Sequence, residues 1–382
     1  MSIQLFVPTF RVEECLEGIR ECLEKGWTGL GFKTVEFEEK WKEYTGFNHA
    51  HFLNSATVGL SLALKILKMQ NNWNDEDEVI TTPLTFVSTN HAIVYENLSP
   101  VFADVDDTLC LDPKDVESKI TDKTRAVMFV GLGGNVGKYH EIVELCKKYN
   151  LKLILDAAHM AGTKYNGEVP GKEADVVVYS FQAVKNLPTA DSGMICFKDQ
   201  ENDELCRKLT WLGINKDTYA RSSDKGSYKW KYDVEYVGYK YHGNSIMAAI
   251  GIVQLKYLDE DNAYRKQLAS WYDEHFSKYS DLIGTISVSE QCDSSRHLYV
   301  IEVDDRDELL VYLNENEIYP GVHYRDNTEY KMYSYGKGSC PNSHRISERI
   351  LSLPMHMKLE KEDIDYICDK VITFVTNKKG EK

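Results

Sequence analysis

Two residues of opposite charge, Asp156 and Lys185, each follow a short apolar run of the sequence. Residues 151–155 read LKLIL and precede Asp156, whereas residues 174–179 read ADVVVY and precede the segment that carries Lys185. A lysine whose pKa is lowered by burial can act as a nucleophile and a base, and a carboxylate stabilises a positive charge beside it. Such apolar runs are typical of buried strands in an α/β sheet, where chemistry collects at the carboxyl ends of the strands. Both residues are therefore candidates for one active site.

The segments around this pair resemble those of a known family. Residues 156–159 read DAAH, and residues 180–187 read SFQAVKNL about two dozen residues later. Together they resemble the fold-type I pyridoxal-phosphate (PLP) enzymes, and more narrowly the DegT/DnrJ/EryC1/StrS aminotransferases, which act on nucleotide-linked keto sugars. The resemblance covers nearly the whole chain. It implies an α/β fold of type I, with a large, doubly wound, mostly parallel sheet domain in residues 1–245 and a smaller C-terminal α+β domain in residues 246–382.

The resemblance implies catalytic roles for Lys185, Asp156 and His159. Lys185 would bond to the cofactor aldehyde and later move a proton, Asp156 would pair with the pyridinium nitrogen, and His159 would reach the ring hydroxyl. Each residue also has a plainer interpretation: a surface lysine, a helix-capping carboxylate and a core histidine. The context SFQAVKNL argues against a surface lysine, while both interpretations of His159 stay open.

The resemblance also implies which residues hold the cofactor. Its phosphate would lie at residues 55–57, which read SAT and begin a predicted helix, where free N–H groups suit an anion; Ser55 also fits an ordinary helix cap. Phe86, in the pattern P-x-x-F-x-x-T of residues 83–89, would stack on the pyridine ring, although a phenylalanine is by default a core residue. The implied cofactor contacts are Ser55, Ala56, Thr57, Phe86, Asp156, Ala158, His159, Ser180, Lys185 and Lys240.

Two segments depart from the family pattern. Residues 238–242 read GYKYH where the family usually has G-Y-N-Y-R, and residues 189–193 read TADSG where T-G-E-G-G is frequent. In the family, the Asn of the first motif reaches across a dimer to the partner's cofactor phosphate. Lys240 stands at that position and could act there as a point charge. The resemblance therefore implies a homodimer with shared active sites.

Two further segments are candidates for binding the substrate. Residues 26–31 read GWTGLG, which is typical of a helix connection with a core tryptophan; the resemblance instead places Trp27, Thr28 and Gly29 beside the sugar nucleotide. His323 and Tyr324 match a family segment near the substrate, and their plainer interpretation is a buried His-Tyr pair. The polar stretch 213–237 is predicted to be a long functional loop.

The leading functional hypothesis is a PLP-dependent aminotransferase. It would move an amino group from an amino acid, L-glutamate, to C4 or C3 of a nucleotide-linked keto sugar. A related PLP-dependent 3-dehydratase is an alternative, but those enzymes carry His where Lys185 stands. A nicotinamide-dependent oxidoreductase could use the glycine-rich turn at residues 131–137, although its third glycine falls one position too late for the dinucleotide motif. A non-catalytic cofactor-binding protein is the fourth interpretation.

Bulk composition indicates a soluble globular protein of the cytoplasm. The 382 residues suffice for two domains, and the net charge of −15 argues against a nucleic-acid partner. Nine cysteines without a C-x-x-C motif fit a reduced cytosol better than disulfides or a zinc site, and we expect no metal. No apolar run reaches membrane-spanning length, and the start MSIQLFVPTF lacks the features of a signal peptide.

The elements that must position these residues follow from the apolar periodicity. Strands and helices alternate from about residue 78 onward, which predicts a parallel, doubly wound sheet. A long helix that opens near residue 246 is predicted to link the two domains. The predicted elements of the small domain are strands at 285–288 and 298–303 and helices at 307–316, 343–351 and 361–373.

Overall fold

The structure, a computed structural model, describes residues 2–215 and 232–381. The predicted loop at 213–237 falls largely outside the described residues. The strands are β1 Ile3–Gln4, β2 His49–Leu53, β3 Glu78–Thr81, β4 Ser99–Phe102, β5 Thr124–Val130, β6 Lys152–Asp156, β7 Lys164–Tyr165, β8 Val176–Ser180, β9 Gly193–Phe197, β10 Gly284–Thr285, β11 Cys292–Asp293, β12 Tyr299–Glu302, β13 Ile318–Tyr319 and β14 Ile350–Leu353. The helices are α1 Val12–Glu24, α2 Phe32–Thr45, α3 Ala56–Asn71, α4 Ser88–Tyr95, α5 Pro113–Ser118, α6 Tyr139–Tyr149, α7 Gln200–Thr210, α8 Ser245–Phe276, α9 Arg306–Glu315, α10 Pro341–Ser347 and α11 Lys361–Glu381.

A seven-stranded sheet forms the centre of the molecule. Its strand order is β2-β9-β8-β6-β5-β3-β4, and β9 runs antiparallel to both of its neighbours while β8, β6, β5, β3 and β4 pair in parallel. Every residue of β8 and β9 is buried, as expected for strands covered on both faces. The predicted doubly wound, mostly parallel sheet is confirmed.

Helices cover both faces of this sheet with apolar side chains. On one face, Phe37 and Trp41 of α2 join Phe129 of β5 in a buried cluster. On the other face, Leu60 and Leu64 of α3 belong to a second cluster. With both faces covered, the edge where the strands end remains open for a binding site.

A smaller antiparallel sheet of order β10-β12-β14 lies in the C-terminal part. The predicted helix at 343–351 ends earlier, at Ser347, because residues 350–353 form β14 and pair with β12. All four residues of β14 are buried, so pairing with a neighbouring strand outweighed the local helical pattern. The first strand, β1, pairs with β13, which ties the start of the chain to this part of the molecule.

The long helix α8 contacts both parts of the molecule. Ala248 and Ile252 near its start belong to the cluster beside the large sheet, whereas Tyr272 and Phe276 near its end belong to a separate cluster with β12 and α11. The division at residues 245 and 246 stays a prediction, since α8 begins at Ser245 and packs on both sides. None of the helices in the described part of the chain is long and apolar enough to cross a membrane.

Candidate active site

A cavity of about 420 Å³ lies at the carboxyl edge of the large sheet. It brings together residues that are far apart in the sequence. Those predicted from the sequence are Ser55, Ala56, Thr57, Phe86, Asp156, Ala158, His159, Ser180, Lys185, His323 and Tyr324. Most of these residues belong to the part of the chain with the large sheet, whereas His323 and Tyr324 come from the C-terminal part. The three catalytic candidates Asp156, His159 and Lys185 all line the cavity.

The sheet register places the polar residues of this edge. Asp156 is the last residue of β6 and Ser180 the last of β8, and the two strands are neighbours in the sheet. Gly193, the first residue of β9, pairs with Ser180. Because parallel strands end at the same edge of a sheet, Asp156 and Ser180 lie together at the carboxyl edge.

Asp156 is a buried carboxylate held by two hydrogen bonds. The hydroxyl of Thr89 donates to Oδ2 at 2.8 Å, and the backbone N–H of Ala158 donates to Oδ1 at 3.1 Å. Burial raises the pKa of Asp156, although both hydrogen bonds and the charge of Lys185 act in the opposite direction. A cation placed against this carboxylate would be stabilised by it.

Lys185 lies in a turn after β8, where its backbone N–H donates to the carbonyl oxygen of Gln182 at 2.8 Å. Burial lowers the pKa of Lys185 to about 8, while the charge of Asp156 acts to raise it. No described residue forms a hydrogen bond or an ion pair with Nζ of Lys185. Lys185 lines the cavity, and its amine is close enough to neutrality to act as a nucleophile.

His159 is neutral and has a defined tautomer. The backbone N–H of Gly133 donates to Nδ1 at 3.1 Å, so the ring hydrogen is on Nε2, which lies 3.3 Å from the hydroxyl of Tyr324. Burial, together with Lys185 and His323, lowers the pKa of His159 well below its ordinary value. His159 therefore offers an N–H donor to the cavity.

The glycine-rich turn at 131–137 packs against the segment that carries His159. A side chain at Gly131 would lie 2.0 Å from Sδ of Met160, and one at Gly134 would lie 2.3 Å from Oγ of Ser295. Neighbouring side chains therefore pack closely against both glycines. The N–H group of Gly133 in the same turn donates to Nδ1 of His159, so the turn orients a residue of the cavity wall.

The turn before α3 forms one end of the cavity. Ser55 caps α3, since its Oγ accepts from the N–H of Val58 at 3.4 Å. The following N–H groups of Ala56 and Thr57 begin the helix, where an anion is favoured. A Cβ atom at Gly193 would lie 2.7 Å from the backbone nitrogen of Ala56, so only glycine lets β9 approach this turn. The geometry suits a phosphate group.

Phe86 and Tyr324 are aromatic residues of the same cavity. Phe86 is 58% exposed although it is a large apolar side chain, and its ring lies 5.9 Å from that of Tyr324. Nδ1 of His323 is 2.9 Å from the hydroxyl of Ser352. An exposed phenylalanine in a cavity wall offers a flat surface against which an aromatic ring could stack.

Four predicted residues lie outside this cavity wall. The carbonyl oxygens of Thr28 and Gly29 accept hydrogen bonds from the N–H of Ser245, at the start of α8, and Trp27 belongs to the same loop. Lys240 is exposed, with Nζ 3.1 Å from the ring centroid of Trp211. Ser245 follows Lys240 by five residues, so the start of α8 connects the two segments along the chain.

The structure adds cavity residues to which the sequence assigned no role. Thr89 is the threonine of the P-x-x-F-x-x-T pattern, and Gln182 lies within SFQAVKNL, so the motifs contained both. His297 joins the cavity from a distant segment, and no motif pointed to it. Only the three-dimensional contacts could reveal that residue.

The donor set fits PLP. Asp156 offers a buried carboxylate for a pyridinium nitrogen, Lys185 offers an uncommitted amine for an aldehyde, and the turn at 55–57 offers N–H groups for a phosphate. Phe86 offers a stacking surface. In the described part of the chain, no group of three or more His, Cys, Asp or Glu side chains could hold a metal ion.

Comparison with known proteins shows the family to which the chain belongs. The family model described as the DegT/DnrJ/EryC1/StrS aminotransferase family matches residues 11–372. The spore coat polysaccharide biosynthesis protein SpsC of Bacillus subtilis is 35% identical over 371 residues, covering 94% of each chain. The UDP-4-amino-4,6-dideoxy-N-acetyl-beta-L-altrosamine transaminase of Campylobacter jejuni is 33% identical over 361 residues, covering 92% of each chain.

Solved structures show the same fold. Spr1654 from Streptococcus pneumoniae in its PLP form has a TM-score of 0.87 and 28% identity, covering 98% of both chains. Its PMP form has a TM-score of 0.89 and 29% identity, covering 97% of this chain and 99% of that one. The fold-type I architecture expected from the resemblance is confirmed by this match and by the sheet order. The chain belongs to the DegT/DnrJ/EryC1/StrS aminotransferase family.

Proposed function

We propose that this protein moves an amino group from L-glutamate to a keto sugar carried on a nucleoside diphosphate, at C4 or C3 of the sugar, with PLP as cofactor. The observation that carries the proposal is the joint placement of Lys185, Asp156 and His159 around one cavity. The family match supports amino transfer, the name of the Campylobacter relative supports a sugar nucleotide as acceptor, and that of the Bacillus relative supports a place in polysaccharide biosynthesis.

PLP, when bound, would supply an aldehyde for covalent attachment and a ring that withdraws electrons from the reacting carbon. Asp156 would hold the positive charge of the ring nitrogen, because its oxygens lie in a buried setting beside Thr89. Ala158, two residues after Asp156, would leave room for a flat ring. Residues 55–57 and Ser180 would hold the phosphate at the other end of the cavity.

Lys185 would act as both nucleophile and proton carrier. Its pKa of about 8 places a useful fraction of the side chain in the neutral form near neutral pH. The Nε2–H group of His159 would donate a hydrogen bond to the ring hydroxyl, consistent with the bond that Gly133 donates to Nδ1. The presence of Lys185 favours amino transfer over the 3-dehydratase reaction, whose enzymes carry His at this position.

We also propose a homodimer with two shared sites. Val12, Leu16 and Leu23 repeat on one face of α1 and are exposed, which is unusual for a helix of a monomer. This helix leads directly into the loop of Trp27, and Thr28 and Gly29 of that loop accept hydrogen bonds from Ser245, five residues after Lys240. If a partner subunit packs on this surface, Trp27 and Lys240 would lie near the cavity of that partner.

His323 and Tyr324 would contact the substrate bound in the cavity of their own chain. The cytoplasmic location stays a prediction.

The function is tested by following the amino nitrogen from L-glutamate to the sugar. Purified protein loaded with PLP is incubated with ¹⁵N-L-glutamate and a panel of nucleoside-diphosphate-linked 3-keto and 4-keto hexoses, and the products are read by mass spectrometry. We expect ¹⁵N in one amino sugar nucleotide. Lys185→Ala should abolish the transfer, whereas Lys198→Ala, at an exposed lysine after β9, should leave it unchanged. Label that stays in glutamate with every sugar would refute the proposed acceptor.

A further inference from the structure

His297 lines the cavity beside His159 and Lys185, and it has no role in the function proposed above. The residue lies between β11 and β12 and is buried. Its ring is nearly parallel to that of Phe6, with a centroid distance of 5.5 Å and an angle of 8°. The ring of His159 lies 4.3 Å away from centroid to centroid and is tilted by 41°. These two neighbours fix the plane of the His297 ring.

The hydrogen bonds of Asn186 determine which nitrogen of His297 carries the hydrogen. Nδ2 of Asn186 donates to Oδ1 of Asn262 and to the carbonyl oxygen of Ser295, both at 2.7 Å. Asn262 is oriented in turn, because its Nδ2 donates to the carbonyl oxygen of Ala161 at 3.0 Å. Oδ1 of Asn186 therefore faces Nδ1 of His297, 2.9 Å away. An amide oxygen only accepts hydrogen bonds, so Nδ1 of His297 is the donor.

The other ring nitrogen of His297 is consequently an acceptor. Burial, followed by the effects of His159 and Lys185, lowers the pKa of His297 well below its ordinary value, so the ring is neutral. A neutral imidazole with hydrogen on Nδ1 has a free lone pair on Nε2. Within residues 2–215 and 232–381, no group is hydrogen-bonded to this Nε2.

His159 and His297 thus present opposite hydrogen-bonding groups side by side. His159 is an acceptor at Nδ1 and carries its hydrogen on Nε2, whereas His297 carries its hydrogen on Nδ1. The acceptor on His297 can take a hydrogen bond from an O–H or N–H group of a ligand. Hydroxyl groups are the abundant donors of a sugar, so a sugar in this cavity would supply the missing partner.

We propose that Nε2 of His297 accepts a hydrogen bond from a hydroxyl group of the sugar substrate, and that Asn186 is the positioning residue that holds His297 in the required tautomer. The inference rests on the proposed function, since it assumes that a sugar enters the cavity. A site built to pair with a substrate hydroxyl discriminates against analogues that lack it. His297 would therefore help to select among keto sugars.

The tautomer is measurable without any substrate. Protein labelled with ¹⁵N-histidine and loaded with PLP gives long-range ¹H–¹⁵N spectra in which a protonated nitrogen and a lone-pair nitrogen differ clearly, and His297→Gln identifies the signals of His297. We expect hydrogen on Nδ1 and a lone pair on Nε2 at neutral pH. Hydrogen on Nε2, or on both nitrogens, would overturn the inference regardless of which sugar the protein accepts.

Two substitutions then separate hydrogen bonding from packing. His297→Gln places an amide oxygen near the former Nε2 position, whereas His297→Met fills similar space without a comparable acceptor. With the accepted keto sugar, we expect Met to lower kcat/KM by roughly tenfold, mainly through KM, and Gln to recover most of the loss. The half-reaction with L-glutamate alone, followed by cofactor absorbance in a single turnover, should lose far less than the reaction with the keto sugar in both variants. An equal loss in that half-reaction would overturn the assignment to a sugar hydroxyl.

Deoxy analogues of the keto sugar identify the hydroxyl. For the correct position, removing the hydroxyl from the sugar and replacing His297 by Met should not have additive effects, because each removes the same hydrogen bond. Additive losses at every position would contradict the inference. If the wild-type protein completes the glutamate half-reaction but aminates no keto sugar, the proposed acceptor is wrong and the hydroxyl assignment fails with it, while the tautomer result still stands.

Discussion

At the scale of single residues, the pKa of Lys185 controls reactivity. That pKa is lowered to about 8 by burial, so the neutral amine is the main form above pH 8 and falls about tenfold for each pH unit below it. We expect labelling of Lys185 in the apoprotein by pyridoxal, trapped with cyanoborohydride and quantified by peptide mass, to rise with pH and level off above about 8. Asp156→Asn should shift the midpoint to lower pH, because the carboxylate charge raises this pKa. Asp191→Asn, at another carboxylate of the cavity wall, is the matched control and should leave the midpoint in place.

Asp156 and Thr89 act as a pair at the same scale. Asp156→Asn should cost roughly 3–4 kcal/mol of transition-state stabilisation, as removal of a preorganised electrostatic group does; a change in rate below about twofold would mean that Asp156 only caps the following segment.

Thr89→Val removes the 2.8 Å hydrogen bond to Oδ2 of Asp156. We expect it to lower the free energy of unfolding by about 1–2 kcal/mol in urea, whereas Thr89→Ser, which keeps the hydroxyl, should retain most of the stability.

At the scale of secondary-structure elements, Gly193 lets β9 approach the turn before α3. A Cβ atom there would lie 2.7 Å from the backbone nitrogen of Ala56 and 2.7 Å from the carbonyl oxygen of Tyr179. Neither backbone atom can move without displacing the turn, so Gly193→Ala should weaken PLP binding by at least about tenfold, equivalent to the usual cost of overpacking. Equilibrium dialysis measures this. Gly380→Ala, where a side chain meets open space, should bind PLP normally, and equal affinities of the two variants would contradict the role of Gly193.

The same scale shows what the sequence could and could not predict. The strands that carry Asp156 and Ser180 followed from apolar runs, because strands buried on both faces need near-continuous apolar residues. The first two residues of β14 were predicted as the end of the helix at 343–351, since residues 350–353 have no local signal for the pairing with β12 that buries them. Motifs located Lys185 and its neighbours, but His297 reaches the cavity through packing on Phe6 and His159. Contacts between distant segments have no signature in one sequence.

At the scale of the whole molecule, substitution of Lys240 tests whether the two active sites of a dimer are shared between subunits. Its carbonyl oxygen accepts from Asn54, next to the turn at 55–57, while its ammonium group lies over Trp211. Lys240→Ala should weaken PLP binding without unfolding the protein. If Lys240 acts on the partner's cofactor, mixing this variant with Lys185→Ala should restore about a quarter of the activity, since half of randomly mixed dimers would each hold one complete site. Absence of rescue, or a fully active monomer in sedimentation, would reject the shared site.

The central claim for the whole molecule is that its cavity holds PLP on Lys185 for amino transfer. The direct measurement is borohydride reduction of the PLP-loaded protein, followed by peptide mass mapping. We expect the cofactor mass on the peptide that contains Lys185 and its absence from that peptide when L-glutamate is added before the reductant, because transfer of the amino group frees the lysine. Attachment to a different lysine, or a label on Lys185 that L-glutamate does not remove, would contradict the account.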